Sequence, residues 1–179
     1  AFKARDGRAR ARRILETVLL MTCDSLLLLF DIDRTLLLSG RAGVRGLALA
    51  MDRLYGRPEA IEGVEMAGRT DRAIVIEVLR ALGRSPDEAE IRRVPETYCE
   101  CLAAEIKRPV PHPSGILPGV GELLDVLDGR NGVSFGLLTG NFERGAAIKL
   151  GHFDLGRRFP FGAFGDHHVN RRDLVPIAL

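Results

Sequence analysis

An α/β fold, in which a parallel sheet is interrupted by a long helical insert, is predicted by three features of this 179-residue chain. Two short apolar runs, Leu26–Phe30 and Val133–Leu138, end abruptly in polar residues, as strands buried on both faces of a parallel sheet do. Between them, from about residue 40 to 115, apolar residues recur at helical spacing. With 46% hydrophobic and 28% charged residues, a chain of this length builds one compact domain with a real core.

The first run, five residues long, is too short for a buried helix and ends in Asp31. In the insert, Val44 to Tyr55 reads as a helix stopped by Gly56 and Pro58. Thr70 caps a helix running to Leu82, with Ile74, Val78 and Leu82 at four-residue spacing. Ser85 and Glu88 have the spacing of a capping box, with Pro86 at the first helical position, and a further helix fits Glu96 to Lys107. The segment 108–118, which holds Pro109, Pro111, Pro113 and Pro118, reads as a hinge back into the core.

A turn signal over Asp128, Gly129, Arg130, Asn131 and Gly132 introduces the second strand, which ends in Thr139, Gly140 and Asn141. A helix from Phe142 to Leu150 follows. A weaker third strand, Phe161 to Phe164, ends at Gly165 and Asp166 ahead of a last helical segment opening at Arg171. Parallel α/β sheets bind ligands at the carboxyl ends of their strands, so the three polar ends are expected to share one functional edge.

Net charge is +2, but residues 1–13 carry six basic side chains against Asp6 alone, which leaves the remainder slightly acidic. A slightly acidic body argues against a nucleic-acid partner, and the basic segment 1–20 reads as a disordered, solvated tail. The leucine-rich stretch from Ile14 to Phe30 is interrupted by Glu16, Thr17, Thr22 and Asp24, too often for a membrane span. Cys23, Cys99 and Cys101 are odd in number and lack a C-x-x-C pair, so the expectation is reduced thiols in a cytoplasmic protein.

Asp31-Ile32-Asp33 carries the chemistry. Carboxylates at i and i+2 point to one side of an extended backbone, and at a buried strand end such a pair calls for a cation or a shared proton. A magnesium ion meets that need; a surface turn whose acids simply face water is the alternative.

The run 26–37, Leu-Leu-Leu-Leu-Phe-Asp-Ile-Asp-Arg-Thr-Leu-Leu, resembles the first signature motif of the haloacid-dehalogenase-like superfamily, and Leu137-Leu138-Thr139-Gly140-Asn141 is similar to its second. The stretches Ala67 to Ala73 and Phe161 to Asp166 resemble its phosphoglycolate-phosphatase-like branch. The resemblance implies a Rossmann-like parallel sheet core over 21–39 and 116–179, with a small helical cap, 40–115, inserted after the first strand. It also implies a magnesium-dependent phosphohydrolase acting on a small phosphate monoester, the cap excluding bulky substrates.

By this resemblance Asp31 is the nucleophile, forming an aspartyl-phosphate, and Asp33 is the acid and base, with a raised pKa. Asp33 also sets the chain apart from the dehalogenases proper, which lack the second aspartate. Thr139, with amides near Gly140 and Asn141, is expected to bind the phosphoryl oxygens. The neutralising base is either Lys149 or, preferably, Arg171, and Arg69 is either a substrate-binding cation or a helix-capping surface arginine. Asp31 and Asp33 would hold Mg2+, with Asp166 as a possible further ligand. His167 and His168 read as loop residues.

Two positions depart from the motif. Arg34 stands where the family carries glycine, so it either obstructs the site or grips phosphate. No Gly-Asp-x-x-x-Asp follows before Leu179, so the C-terminal part of the core is expected to be missing. A remnant that binds phosphate without turnover is the corresponding alternative.

Overall fold

A computed structural model of the protein describes residues 25–179. The expected basic tail, 1–20, and Cys23 lie outside the described residues.

Strand β1, Leu26–Phe30, pairs in parallel with β4, Val133–Leu138, in a register that sets Phe30 opposite Leu137. Strand β4 in turn pairs in parallel with β5, Gly162–Ala163, giving the order β1-β4-β5. This register brings Asp31 and Thr139, which follow the two longer strands, to the same edge of the sheet. The third strand is only two residues long, shorter than Phe161 to Phe164, because Pro160 and Gly165 bracket a run with little room to pair.

The insert holds α1, Ala42–Tyr55, a 3-10 turn at Pro58–Ile61, α2, Asp71–Ala81, and α3, Glu88–Glu105. Gly56 closes α1 in the left-handed conformation at φ 65°, and the Thr70 hydroxyl accepts the Ala73 N–H at the start of α2, both as the residue types dictate. The third helix differs from expectation. Asp87, not Ser85, caps it by accepting the N–H groups of Ala89 and Glu90 at 3.1 and 3.0 Å. It then runs unbroken through Pro95, absorbing the separate helix expected from Glu96. A proline there forfeits one bond to the Ile91 carbonyl, and the burial of Ile91, Val94, Tyr98 and Leu102 along one face offsets that loss.

The expected hinge is also more ordered than its prolines suggest. Ser114–Ile116 forms β3, antiparallel to β2, Leu37–Ser39, so the two chain crossings between sheet and insert are tied side by side. Arg45 reinforces the tie from α1. Its guanidinium donates to the Gly40 carbonyl, to the Glu105 carbonyl at 2.9 Å and to the Glu105 carboxylate at 2.6 Å.

The rest of the core is α4, Val120–Asp128, α5, Glu143–His152, and the short α6, Val175–Ala178. Two apolar clusters result. One joins α1, α2 and α3 with Phe142; the other packs Leu124, Leu127, Ala146 and Leu150 against the sheet, the loop residues Ile32 and Leu36, and Leu37 at the start of β2. Ile32, Leu36 and Leu37 are at most 1% exposed, and burying each is worth roughly 1.5–3 kcal/mol, enough to hold the loop between β1 and β2 in one shape.

Candidate active site

The loop after β1 turns tightly about one carbonyl. Ile32 C=O receives the N–H groups of Thr35, Leu36 and Leu37, while the Arg34 N–H reaches the Leu37 carbonyl at 3.0 Å. With Ile32 buried, Asp31 and Asp33 are left together on the open side, as the i, i+2 spacing predicts.

Each carboxylate meets its own cation. Asp31 Oδ2 lies 2.8 Å from Arg171 Nη2, and its Oδ1 accepts the Ile32 N–H at 2.9 Å. Asp33 Oδ2 lies 2.6 Å from Lys149 Nζ and accepts Asn141 Nδ2 at 3.0 Å. Lys149, carried inward on α5, also donates to Asn141 Oδ1 at 2.6 Å. That pair of contacts fixes the amide of Asn141, because the flipped orientation would set its carbonyl against a carboxylate and its NH2 against an ammonium. Lys149 and Arg171, alternatives in the sequence, are therefore both present on opposite members of the carboxylate pair.

Burial pushes the Asp33 carboxyl up, but the Lys149 charge, the hydrogen bonds from Lys149 and Asn141 and the nearby Arg34 charge together hold it below the usual carboxylate range. This corrects the raised pKa expected from its neighbour Asp31. The ammonium supplied by α5, 116 residues away in sequence, decides the sign.

The Thr139 hydroxyl is fully buried and accepts the Asn141 side-chain amide at 2.8 Å and backbone N–H at 3.3 Å. Its own proton remains available to donate. The amides that open α5 are occupied: Phe142 N–H donates to the Asp71 carboxylate at 3.0 Å and Glu143 N–H to Asp166 at 2.9 Å. Of this run, Gly140 N–H has no protein acceptor among the described residues. Gly140 is sterically required, since a Cβ there would lie 2.0 Å from the Arg69 carbonyl oxygen. Gly165 is equally constrained, its Cβ position falling 2.1 Å from the Gly140 oxygen.

The helical insert is bolted to this loop. Asp71 N–H donates to the Gly140 carbonyl at 2.6 Å, and the Thr70 hydroxyl to the Val169 carbonyl at 3.1 Å. Asp71 was not singled out by sequence reasoning. Its signals are its position, one residue after a helix-capping threonine, and its place within the Ala67 to Ala73 stretch. Burial pushes its carboxyl up to about 6, the Lys149 charge and the Phe142 N–H opposing.

Arg69 turns its guanidinium onto Glu77 and onto the carbonyls of Glu65 and Ala73, so its charge is satisfied within the insert. Arg69 also borders a cavity of about 630 Å3 lined with Arg171, Arg172, Asn170 and Leu138. Asp166, a possible further metal ligand by the sequence, accepts the Glu143 N–H through its Oδ2 at 2.9 Å.

Among the described residues no group of three His, Cys, Asp or Glu side chains converges as a metal site. The oxygens that the loop after β1 offers, the Asp31 carboxylate and the Asp33 carbonyl, are hard donors and would fit magnesium in a shell completed by water and substrate, which is how that ion is commonly held.

Residues 28–174 match the family described as haloacid dehalogenase-like hydrolase. No curated protein matches the chain. Among solved structures, a predicted phosphoglycolate phosphatase from Haemophilus somnus 129pt aligns at 15% identity and a TM-score of 0.56, covering 83% of this chain and 67% of that one. A candidate phosphoglycolate phosphatase from Lactobacillus delbrueckii subsp. bulgaricus aligns at 20% identity and a TM-score of 0.44, covering 79% of this chain and 64% of that one. A candidate beta-phosphoglucomutase from Thermotoga maritima aligns at 23% identity and a TM-score of 0.42, covering 80% and 63%. The chain thus spans about two thirds of the length of the structures it matches. At these identities the likeness is one of fold.

Proposed function

Because the chain belongs to the haloacid dehalogenase-like hydrolase family, we propose that it hydrolyses a small phosphate monoester at the paired carboxylates Asp31 and Asp33. The observation that carries this reading is the pairing itself: two aspartates on one side of a strand end, each against a separate cation, Arg171 and Lys149. In the proposed sequence an Asp31 carboxylate oxygen attacks phosphorus, the bond from phosphorus to the ester oxygen breaks, and Asp33 protonates the departing alkoxide. Water then attacks the aspartyl-phosphate, Asp33 takes its proton, and the bond to Asp31 breaks to release phosphate.

Asp33 must hold a proton when the ester bond breaks, although Lys149 and Asn141 favour its anion. An arriving phosphate dianion opposes that preference and raises the carboxyl's proton affinity. The Thr139 hydroxyl and the Gly140 amide are the donors left for phosphoryl oxygens, and Arg171 offsets the charge that develops beside Asp31. Asn141 holds Lys149 and Asp33 in place. Magnesium would be held by the Asp31 carboxylate and the Asp33 carbonyl, and would supply charge neutralisation at the phosphoryl group.

The partner is a small phosphorylated metabolite, admitted beside the insert, with neither nucleic acid nor membrane involved. No helix among the described residues is long and apolar enough to cross a membrane. A cytoplasmic setting is supported by the free, buried thiols of Cys99 and Cys101.

The second reading, phosphate binding without turnover, draws on the lowered Asp33 pKa, which suits an anion better than an acid. Phosphate release from a panel of monoesters, with and without magnesium, separates the two. Magnesium-dependent turnover supports hydrolysis. Phosphate binding with no ester cleaved across the panel rejects it in favour of the second reading.

A further inference from the structure

The site described above is electrically balanced by its own residues. Two carboxylates, Asp31 and Asp33, face two cations, Arg171 and Lys149, each at ion-pair distance from one acid. A phosphate dianion entering such a site gains little from cations already neutralised, and it is repelled by the carboxylates it must approach. An uncommitted positive charge at the mouth would change that balance. Arg69 cannot provide it, being paired with Glu77, nor can Arg72, which is paired with Glu88.

Arg34 can. It is exposed, directly follows Asp33, and its guanidinium has no ion pair or hydrogen bond among the described residues. Its backbone is the more telling feature. At φ 63° it occupies the left-handed region that favours glycine, and the buried Leu36 and Leu37 with the Ile32 carbonyl bonds prevent the turn from relaxing. Strain of this kind, kept at an active-site loop where glycine would sit without it, points to a side chain that is used. The turn holds Arg34 at the rim on the same loop as both carboxylates.

We propose that Arg34 is a substrate-binding residue whose guanidinium holds phosphoryl oxygens of the bound monoester at the mouth of the site. This rests on the phosphohydrolase reading but is separable from it. A planar guanidinium with free donors binds phosphate oxygens in bidentate fashion, and its uncommitted charge makes the loop net attractive to the dianion.

The full chain and its Arg34→Gly, Arg34→Gln and Arg34→Lys variants distinguish the possibilities through three measurements. These are calorimetric binding of inorganic phosphate in EDTA, melting temperature, and steady-state hydrolysis of an aryl phosphate. R34G and R34Q are expected to bind phosphate about tenfold or more weakly and to raise KM more than they lower kcat, with R34K intermediate. R34G should melt no lower than the parent, which shows that the loss is not misfolding. Unchanged phosphate affinity in R34G, or faster turnover, overturns the proposal, the latter showing that Arg34 obstructs the site. If the parent neither binds phosphate nor hydrolyses the ester, the reading of the whole site falls and Arg34 with it. If the parent does both and R34G equals it, only the role of Arg34 falls.

Discussion

Lys149 reaches Asp33 from inside the protein: its ammonium, on a side chain 5% exposed, lies 2.6 Å from a carboxylate on a side chain 43% exposed. A buried cation that leans on a half-solvated anion governs that anion more than the reverse, since the lysine has no water to turn to. Lys149→Met is therefore expected to let Asp33 titrate higher, towards the ordinary carboxylate range, and to lower stability by roughly 1.5–3 kcal/mol through the lost charge-assisted bonds. Carboxyl chemical shifts followed by NMR against pH, together with a thermal melt, check both. An Asp33 titration that does not move would show that Lys149 does not set it.

Asp31 and Asp33 are expected to fail differently. Asp31→Asn removes the nucleophile and should abolish phosphate release while leaving the fold intact, since its pair with Arg171 is partly exposed and worth about 0–1 kcal/mol. Asp33→Asn should slow hydrolysis of an alkyl phosphate by on the order of a hundredfold or more, and that of a good aryl leaving group much less. Retained turnover in D31N, or equal slowing with both leaving groups in D33N, would contradict the assigned roles.

Much of this was legible in the chain, and the reasons are particular. Leu26–Phe30 and Val133–Leu138 are apolar runs bounded by polar residues, and both strands lie where those bounds fall. The Ser114–Ile116 strand was hidden because three residues among prolines carry no period of their own; it exists through pairing with Leu37–Ser39. Pro95 reads locally as a helix breaker, and the buried face of α3 overrides it. In the site, the carboxylate pair was evident from its spacing. The hub formed by Asn141 was not, because only the fold brings Asp33 and the Lys149 ammonium to the amide that Thr139, two residues away, already holds.

Asp71 gives stability a pH dependence of its own. Its folded pKa, about 6, lies above the ordinary 3.8, so the folded state binds this proton more tightly than the unfolded state. The associated stability is fully present below about pH 3.8 and is lost as pH rises through 6, a penalty on the order of 3 kcal/mol at neutral pH. Asp71→Asn should keep a contact to the Phe142 N–H through its amide oxygen and flatten stability between pH 4 and 7. Urea melts across that range measure it, and parallel pH profiles in parent and variant would rule Asp71 out as the cause.

Asp166 tests whether the metal reading is correctly confined to Asp31 and Asp33. Its carboxylate accepts the Glu143 N–H at 2.9 Å, one of the orphan amides at the start of α5, where an anion is also favoured by the helix dipole. Asp166→Ala should therefore destabilise the protein by about 1 kcal/mol, the usual loss for a helix-capping side chain, and Asp166→Asn by less. Neither should alter the magnesium concentration at which hydrolysis is half-maximal, because the carboxylate is spent on the helix and the ion needs only the β1 loop, water and substrate. Chelation with EDTA should remove turnover from parent and both variants alike. The decisive measurement is the magnesium titration of aryl phosphate hydrolysis in D166N, which keeps the cap but weakens any metal contact. A rise of tenfold or more in the magnesium requirement with an unchanged melting temperature would make Asp166 a ligand after all, and would require its carboxylate to leave the Glu143 amide when the ion binds.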